Sequence, residues 1–195
     1  MDSFNYKFTY KIIDELPAPP LNFIELAMEL GIQKENQGNG ALRVLSDWKG
    51  MSYQSPKIVR GEFNDEYTQW VKDNIVGSFK DTGIAEFPGT PNTPSTGAHT
   101  DGSREFALIF NINTGGPDAE VCFWREHGQD IIRPRSTQGL STKKLDLIDS
   151  VKGPEGVWYM LNTRILHSLE NIIHTRMNFQ ISFEKSIPIE LKKYF

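Results

Sequence analysis

From Gly83 to the C-terminus, the chain is a succession of short runs rich in β-branched and aromatic residues, and turn-forming Gly, Pro and Asn residues separate them. No run with the periodicity of an amphipathic helix lies between these short runs. This cadence predicts a sandwich or a barrel, in a chain that is mainly β with flanking helices. The predicted strands are 84–87, 105–113, 119–124, 129–133, 157–163 and 176–183.

The helical signals lie in the first third of the chain. After a strand-like opening at 4–13, Asn22 followed by Glu25 resembles a capping box. This pattern predicts a short helix over 21–30, which Gly31 is expected to end.

A second helix is predicted to begin at Asn64, where acidic residues in the first turn favour the helix dipole, and to end at Gly77.

The length of the chain is typical of one domain with a substantial core. We therefore expect a single domain over 1–195, with 1–80 as a supporting region and 84–183 as the β-barrel core.

A His99-x-Asp101 triplet follows a Gly/Pro-rich loop at 88–97 and precedes a strongly apolar strand. Side chains separated by one residue in extended chain point the same way, so these two can chelate one metal ion. His167 follows the predicted strand 157–163, where a closed or two-sheet β fold can bring it to the triplet. Two imidazoles and one carboxylate form the facial set that leaves open positions on non-haem Fe(II) for oxygen chemistry.

Arg176 opens a predicted strand in which polar and apolar residues alternate cleanly. An ordinary strand with one face in water alternates in the same way, so this segment alone leaves the surface strand open as an alternative. The short distance in sequence from His167 favours a ligand-lined cavity. The planar guanidinium of Arg176 can bind a carboxylate there through two hydrogen bonds.

These residues resemble the motif of the Fe(II)/2-oxoglutarate-dependent dioxygenases, which is His-x-Asp/Glu, a long gap, a distal His and a basic residue about one strand later. The resemblance covers 84–183 and is greatest to the prolyl and aspartyl/asparaginyl hydroxylases. It implies a double-stranded β-helix core, a jelly roll of the cupin-like kind. It also implies that His99, Asp101 and His167 bind the iron, and that Arg176 anchors the far carboxylate of 2-oxoglutarate.

The same resemblance implies Fe(II), 2-oxoglutarate and O2 as cofactor and cosubstrates, and hydroxylation of an unactivated C–H with release of succinate and CO2. Asp101 stands where halogenating relatives have a small residue, which favours hydroxylation over halogenation. One departure is Asn178, because many members carry Ser or Thr at that place to share the carboxylate, a part that an amide could take. Asn111 is expected to need a hydrogen bond if buried, either to the cosubstrate or within the fold.

Four further residues are substrate candidates, because they could face the mouth of the barrel and hold an anion, although solvated surface positions are the simpler interpretation. They are Arg104, Trp124, Arg125 and Arg164. His127 and His174 are interpreted as ordinary loop histidines. Selectivity for the substrate is expected from 1–80 and from a loop at 134–156 that is long enough to act as a lid.

The composition excludes few partners. A formal net charge of −4 and a pI of about 5.6 give no basic footprint for nucleic acid. The single Cys122 cannot form an internal disulfide and is interpreted as a small buried hydrophobe, which fits a reducing, cytoplasmic setting. No apolar run is long enough for a membrane helix. The oligomeric state cannot be predicted.

Two other functions stay open. A metal-dependent enzyme of the cupin kind would use two His and a carboxylate but would not need Arg176. A non-enzymatic binding module would leave His99, Asp101 and His167 as scattered surface residues without a metal. For the leading interpretation, the substrate is a small molecule or a peptide, with oxidation of an amino-acid side chain, free or in a peptide, or of another small compound.

Overall fold

Two antiparallel β-sheets face one another, and two helices pack on the outer side of the larger sheet. The computed structural model describes residues 8–35, 50–54, 59–87, 96–132 and 140–195. The sheets enclose one apolar core between them, and a second core lies between the larger sheet and the helices.

The elements follow one another in this order along the chain: β1 (Tyr10–Ile13), α1 (Leu21–Glu35), β2 (Gly50–Gln54), β3 (Val59–Glu62), α2 (Asp65–Asn74), β4 (Asp81–Phe87), β5 (Phe106–Thr114), β6 (Glu120–Glu126), β7 (Leu145–Val151), β8 (Trp158–Asn162), β9 (Leu166–Glu170) and β10 (Arg176–Phe183). Short 3-10 helices lie at Thr142–Lys144 and Lys192–Tyr194.

The strand order identifies the architecture. The larger sheet runs β1-β8-β5-β10-β4-β3-β2 and the smaller β7-β6-β9. His99 forms an antiparallel bridge with His167 of β9, so the segment before β5 extends the smaller sheet. From β4 onward the chain therefore passes back and forth between the two sheets. This is the double-stranded β-helix, or jelly roll, that the family resemblance implies.

The central strand β10 is buried along its whole length. Its apolar side chains, with Phe179 among them, pack against aromatic residues such as Phe63 and Tyr67 beneath the helices. The alternate, polar side chains point the other way, into the space between the sheets, and are buried too. The alternation thus separates two buried environments, and the surface-strand alternative is wrong because the polar side is buried as well as the apolar side.

The two helices differ in how well their ends were predicted. The Asn64 side chain accepts a hydrogen bond from the Tyr67 backbone N–H at 2.8 Å, so α2 begins where the sequence predicts. Helix α1 begins at Leu21, which leaves Asn22 inside the helix instead of at its cap, and it continues past Gly31. One glycine costs a helix only about 1 kcal/mol, which Gln, Lys and Glu after it can offset.

Two β predictions in the middle of the chain need correction. The run 129–133 is not a strand in its described part, because a turn follows β6 and only Ile132 forms an isolated bridge, to Ile165. The presumed loop 134–156 contains the strand β7. This strand lies at the edge of the smaller sheet with both faces partly in water, so it lacks the alternation that marks a half-buried strand.

Other elements were not predicted at all. Strands β2 and β3 extend the larger sheet from within the region expected to be support, and β9 is a strand of its own that carries His167. The predicted loop 88–97 lies mostly outside the described residues, as do the start of the strand-like run 4–13 and residues 133–139. Neither helix in the described ranges is both long and apolar enough to cross a bilayer.

Candidate metal centre

His99, Asp101 and His167 come together between the two sheets. One ligand atom from each lies within 4.8 Å of the others. The His99 Nε2 and His167 Nε2 atoms lie 3.7 and 3.9 Å from the same carboxylate oxygen, Oδ1 of Asp101. Two imidazole nitrogens and one carboxylate oxygen therefore face a common point, which is a donor set suited to non-haem iron.

Backbone hydrogen bonds close the long sequence gap between these residues. The His99 N–H donates to the His167 carbonyl at 2.9 Å, and the His167 N–H donates back at 2.8 Å. The Asp101 N–H donates to the Thr163 carbonyl at 3.1 Å. These hydrogen bonds use backbone atoms only. They bring the three side chains together and leave the imidazole nitrogens and the carboxylate oxygens available to bind a metal.

Both imidazoles are held in the tautomer that a metal needs. Nδ1 of His99 lies 3.0 Å from the Gly97 carbonyl, and Nδ1 of His167 lies 2.9 Å from the Ile165 carbonyl. A carbonyl can only accept, so each Nδ1 carries the proton and each Nε2 keeps its lone pair. A hydrogen bond of this kind to the second ring nitrogen commonly orients metal-binding histidines.

Electrostatics favour the ligating charge states. Burial, with the nearby His99, lowers the pKa of His167 to about 4, against smaller opposing effects from Asp101 and a backbone hydrogen bond. Burial alone would raise the pKa of Asp101, but Arg104 first and then the two imidazoles hold it well below its usual range. At neutral pH the site thus offers a neutral imidazole at His167 and a carboxylate at Asp101.

Arg104 lies inside the barrel beside Asp101 and not at its mouth. Its Nε donates to Asp101 Oδ2 at 2.5 Å, and its Nη1 donates to Gln180 Oε1 at 2.9 Å and Ser182 Oγ at 3.2 Å. The side chain is buried. The structure thus places the guanidinium of Arg104 against a candidate metal ligand, and its part in holding an anionic substrate stays a prediction.

Arg176 is a buried cation at the other end of the polar face of β10. Its Nη2 donates to Tyr159 Oη at 2.7 Å and to Asn111 Oδ1 at 3.0 Å, and its Nη1 donates to the Thr114 carbonyl at 3.3 Å. The residue is 1% exposed, and its Nε has no hydrogen-bond partner. Among the residues that the structure describes, no carboxylate forms an ion pair with it. A buried charge without a counter-charge is costly, so this position is suited to an anionic ligand.

Asn111 belongs to the same buried cluster. Its Nδ2 donates to the Gly153 carbonyl at 2.9 Å, and its Oδ1 also accepts from Tyr159 Oη at 3.2 Å. Burial raises the pKa of Tyr159, so its hydroxyl keeps the proton that it donates. Asn111 therefore positions the guanidinium of Arg176 and the phenol of Tyr159 relative to each other.

Gly153 leaves the space that this cluster needs. A Cβ atom at that position would lie 2.6 Å from Asn111 Nδ2 and 3.1 Å from Tyr159 Oη. We expect Gly153→Ala to lower the free energy of unfolding by about 1–3 kcal/mol, as overpacking a filled core does. Urea unfolding measures this change. Gly77→Ala is the matched control, because its Cβ would meet only Glu190 at 3.7 Å, and equal effects of the two substitutions would contradict the prediction.

The remaining amide on this face is Asn178. Its Oδ1 accepts from Gln180 Nε2 at 2.8 Å, so its N–H donors are what it can offer to a ligand. Gln180 also accepts from Arg104. Polar side chains thus run along the inner face of β10 from Arg176 to the neighbourhood of Asp101.

The aromatic substrate candidate lies outside the site. Phe123 pairs with His167 across β6 and β9, and neighbours along a strand point to opposite faces. Trp124 therefore projects from the outer side of the smaller sheet, where its indole N–H donates to Ser168 Oγ at 2.8 Å. The expectation that Trp124 faces the barrel mouth is wrong.

The other candidates lie at the surface or near it. Arg125 makes an ion pair with Asp146 at 3.7 Å. Arg164 is partly exposed, its Nη1 lies 3.5 Å from the Glu105 carboxylate, and its role in substrate binding stays a prediction. His127 is exposed beside Asp146, and Cys122 is buried as the sequence predicts.

Sequence reasoning missed three residues of the site. Gln180 and Ser182 share the polar face of β10 with Arg176, and that parity was visible in the sequence. Tyr159 gave a weaker signal, a phenol within an otherwise apolar strand. Its hydroxyl needs a partner when buried, and only the pairing of β8 with β5 brings it close to Asn111.

Comparison with solved structures finds the same fold in other proteins. The crystal structure of EvdMO1 matches 91% of this chain with a TM-score of 0.53 and 12% identity, and the match covers 48% of EvdMO1. A prolyl hydroxylase from Trichoplax adhaerens, solved with a peptide fragment of the hypoxia inducible factor oxygen degradation domain, matches 91% of this chain and 84% of its own. Its TM-score is 0.47, at 12% identity. A prolyl-4-hydroxylase from Pseudomonas putida matches 92% of this chain and 94% of its own, with a TM-score of 0.46 and 10% identity.

Comparison by sequence gives less. No protein-family profile matches the chain. The 3-methyl-2-oxobutanoate hydroxymethyltransferases of two Anaplasma marginale strains, Florida and St. Maries, are 32% identical over 89 residues. That match covers 46% of this chain and only 28% of those enzymes. The likeness of this chain to solved structures thus lies in the fold, which it shares with EvdMO1.

Proposed function

We propose that this protein is an Fe(II)- and 2-oxoglutarate-dependent dioxygenase, built as one domain with the β4–β10 barrel at its core. In this proposal it hydroxylates an unactivated C–H of an amino-acid side chain, free or in a peptide, or of another small substrate. One observation carries the proposal: a two-His, one-carboxylate donor set shares the interior of the barrel with a buried Arg176 that has no anionic partner among the described residues.

The residues present fit a divalent iron ion. His99 and His167 would bind it through Nε2 and Asp101 through Oδ1, the three atoms that already face one another. A six-coordinate ion held by three protein atoms keeps three positions for other ligands. That number is enough for a chelating keto acid and dioxygen together.

The residues around Arg176 fit one end of a dicarboxylate. The guanidinium would bind the far carboxylate of 2-oxoglutarate, with a charge-assisted hydrogen bond from Nε, which lacks a partner, and a neighbouring N–H. The amide N–H of Asn178 is a further donor on the same inner face. Asn111 orients the guanidinium by accepting from Nη2 through its Oδ1.

When bound together, Fe(II), 2-oxoglutarate and O2 would supply the oxidising chemistry, in which one oxygen atom of O2 goes to the succinate formed with CO2 from the keto acid and the other goes to the substrate carbon as a hydroxyl group. The protein's own groups bind and orient these partners. His99 and His167 hold their protons on Nδ1, away from the metal position. The substrate C–H would have to enter beside Asp101, near the partly exposed Arg164.

The first test is an anaerobic titration of the metal-free protein with Fe(II) and then with 2-oxoglutarate. We expect a weak visible charge-transfer band of a chelated keto acid that saturates at one equivalent of each. Metal binding without this band would favour a cupin-type enzyme that does not use 2-oxoglutarate. Absence of metal binding would favour the non-enzymatic binding module.

A further inference from the structure

The two oxygens of the Asp101 carboxylate have different surroundings. Oδ1 faces His99 Nε2 at 3.7 Å and His167 Nε2 at 3.9 Å. Oδ2 accepts from Nε of Arg104 at 2.5 Å. One oxygen therefore points to the candidate metal position, while the other is held by a buried cation.

Arg104 is itself fixed from several sides. Its Nη1 donates to Gln180 and Ser182 on the inner face of β10, and its backbone carbonyl accepts from Thr163 Oγ1 at 2.9 Å. The Thr163 carbonyl in turn accepts from the Asp101 N–H. The guanidinium is thus tied to β10, and the backbones of Arg104 and Asp101 are tied to Thr163 in the turn between β8 and β9.

We propose that Arg104 is a positioning residue that restricts Asp101 to binding a metal through one oxygen. This inference rests on the proposed function, because it concerns the number of positions left on the metal. A free carboxylate can bind a metal through one oxygen or through both. Binding through both would make four protein donor atoms, and a six-coordinate ion would keep two open positions instead of three.

The number of open positions decides what can bind together. A chelating keto acid takes two positions, so dioxygen requires the third. Because the Arg104 guanidinium holds Oδ2, the third position stays open. Arg104 has this effect from a distance, since it does not touch the reacting atoms. A merely structural ion pair between Arg104 and Asp101 would affect the stability of the fold but would not set this number.

The test counts the water molecules on bound Mn(II), which occupy the positions that the protein leaves open. We compare wild-type protein with Arg104→Met, which removes the donors, and with Arg104→Lys, which keeps one cationic donor for Oδ2. Water-proton relaxation, checked by line broadening of the Mn(II) EPR signal in 17O-labelled water, measures the count. Lys80→Met is the matched control, since Lys80 binds the Ser103 carbonyl in the same loop but does not touch Asp101.

We expect about three waters in the wild type and about two in Arg104→Met, a loss of roughly one third, because Mn(II) prefers six ligands. Arg104→Lys is expected to restore the wild-type count, and Lys80→Met to retain it. If Arg104→Met fails to fold, Gln180→Leu replaces it, since this variant removes an acceptor of Nη1 and should lower the count below that of the wild type.

An unchanged water count in a folded Arg104→Met or Gln180→Leu variant would overturn this inference and leave the proposed function intact. Absence of Mn(II) binding in the wild type would instead overturn the proposed function, and this inference with it. The two failures are therefore separate results of the same experiment.

Discussion

Replacing His167 with alanine is expected to abolish stoichiometric binding of Fe(II), and of Mn(II) and Co(II) as its substitutes. The substitution leaves two protein donors instead of three. Loss of a residue that only supports a ligand typically costs about 10–100-fold in metal affinity, so loss of a ligand should cost more than about 100-fold. Equilibrium dialysis with Mn(II) and a metal-chelator competition measure the dissociation constant.

The fold is expected to survive this substitution. The bridge between His99 and His167 uses backbone atoms alone, so alanine retains it. His127→Ala is the matched control, because this histidine is exposed beside Asp146, and it should bind metal as the wild type does. Wild-type affinity in a folded His167→Ala variant would refute the metal centre as assigned.

Replacing Arg176 with methionine is expected to remove 2-oxoglutarate binding without destabilising the ligand-free protein. Truncating one partner of a buried charge pair costs about 2–5 kcal/mol, which corresponds to at least roughly 30-fold in Kd. The ligand-free protein, however, loses a buried cation that has no counter-charge among the described residues. Its free energy of unfolding should be unchanged or rise, by up to about 1–4 kcal/mol.

Two measurements check this pair of effects. Calorimetric titration of the Mn(II)-loaded protein gives the affinity for 2-oxoglutarate. Urea unfolding with and without 2-oxoglutarate gives the stabilisation by ligand, which is about 2.7 kcal/mol at a hundred times the wild-type Kd and should fall to about 0.9 kcal/mol or less in the variant at the same concentration.

Arg176→Lys serves as the control for charge, since it keeps the cation but not the two-pronged geometry. Partial affinity is expected for this variant. A methionine variant that is much less stable and yet binds 2-oxoglutarate normally would make Arg176 a structural residue only.

The sequence predicted most of the residues of this site but few of their relations. The triplet at His99, the distal His167 and the polar face of β10 could each be read locally, because periodicity and spacing are local properties. What Arg104 contacts depends on how β10 lies beside the loop, and the direction of Trp124 depends on the pairing of β6 with β9. Such relations between distant segments are not encoded in either segment alone.

The same reasoning explains the errors in the fold. Strand β7 lies at an edge and carries no clean alternation, so its pattern resembled that of a loop. Strand β9 is short and follows β8 after a tight turn, so His167 was expected at a strand end instead of within a strand.

The pleat of β10 has a consequence for the length of any molecule that this barrel holds. Arg176 and Gln180 lie on the same face, with Asn178 between them, so about 13 Å of extended backbone separates Arg176 from Gln180. Because side chains return to a face only at every second residue, this spacing cannot be tuned finely. Moving the arginine along the strand, with its side chain kept on the inner face, would change the spacing in steps of about 7 Å, which is much more than the length of one methylene group. The position of a residue along β10 therefore sets the length of a bound dicarboxylate only coarsely. Selection between dicarboxylates that differ by one carbon depends on the lengths of the side chains that bind the ligand.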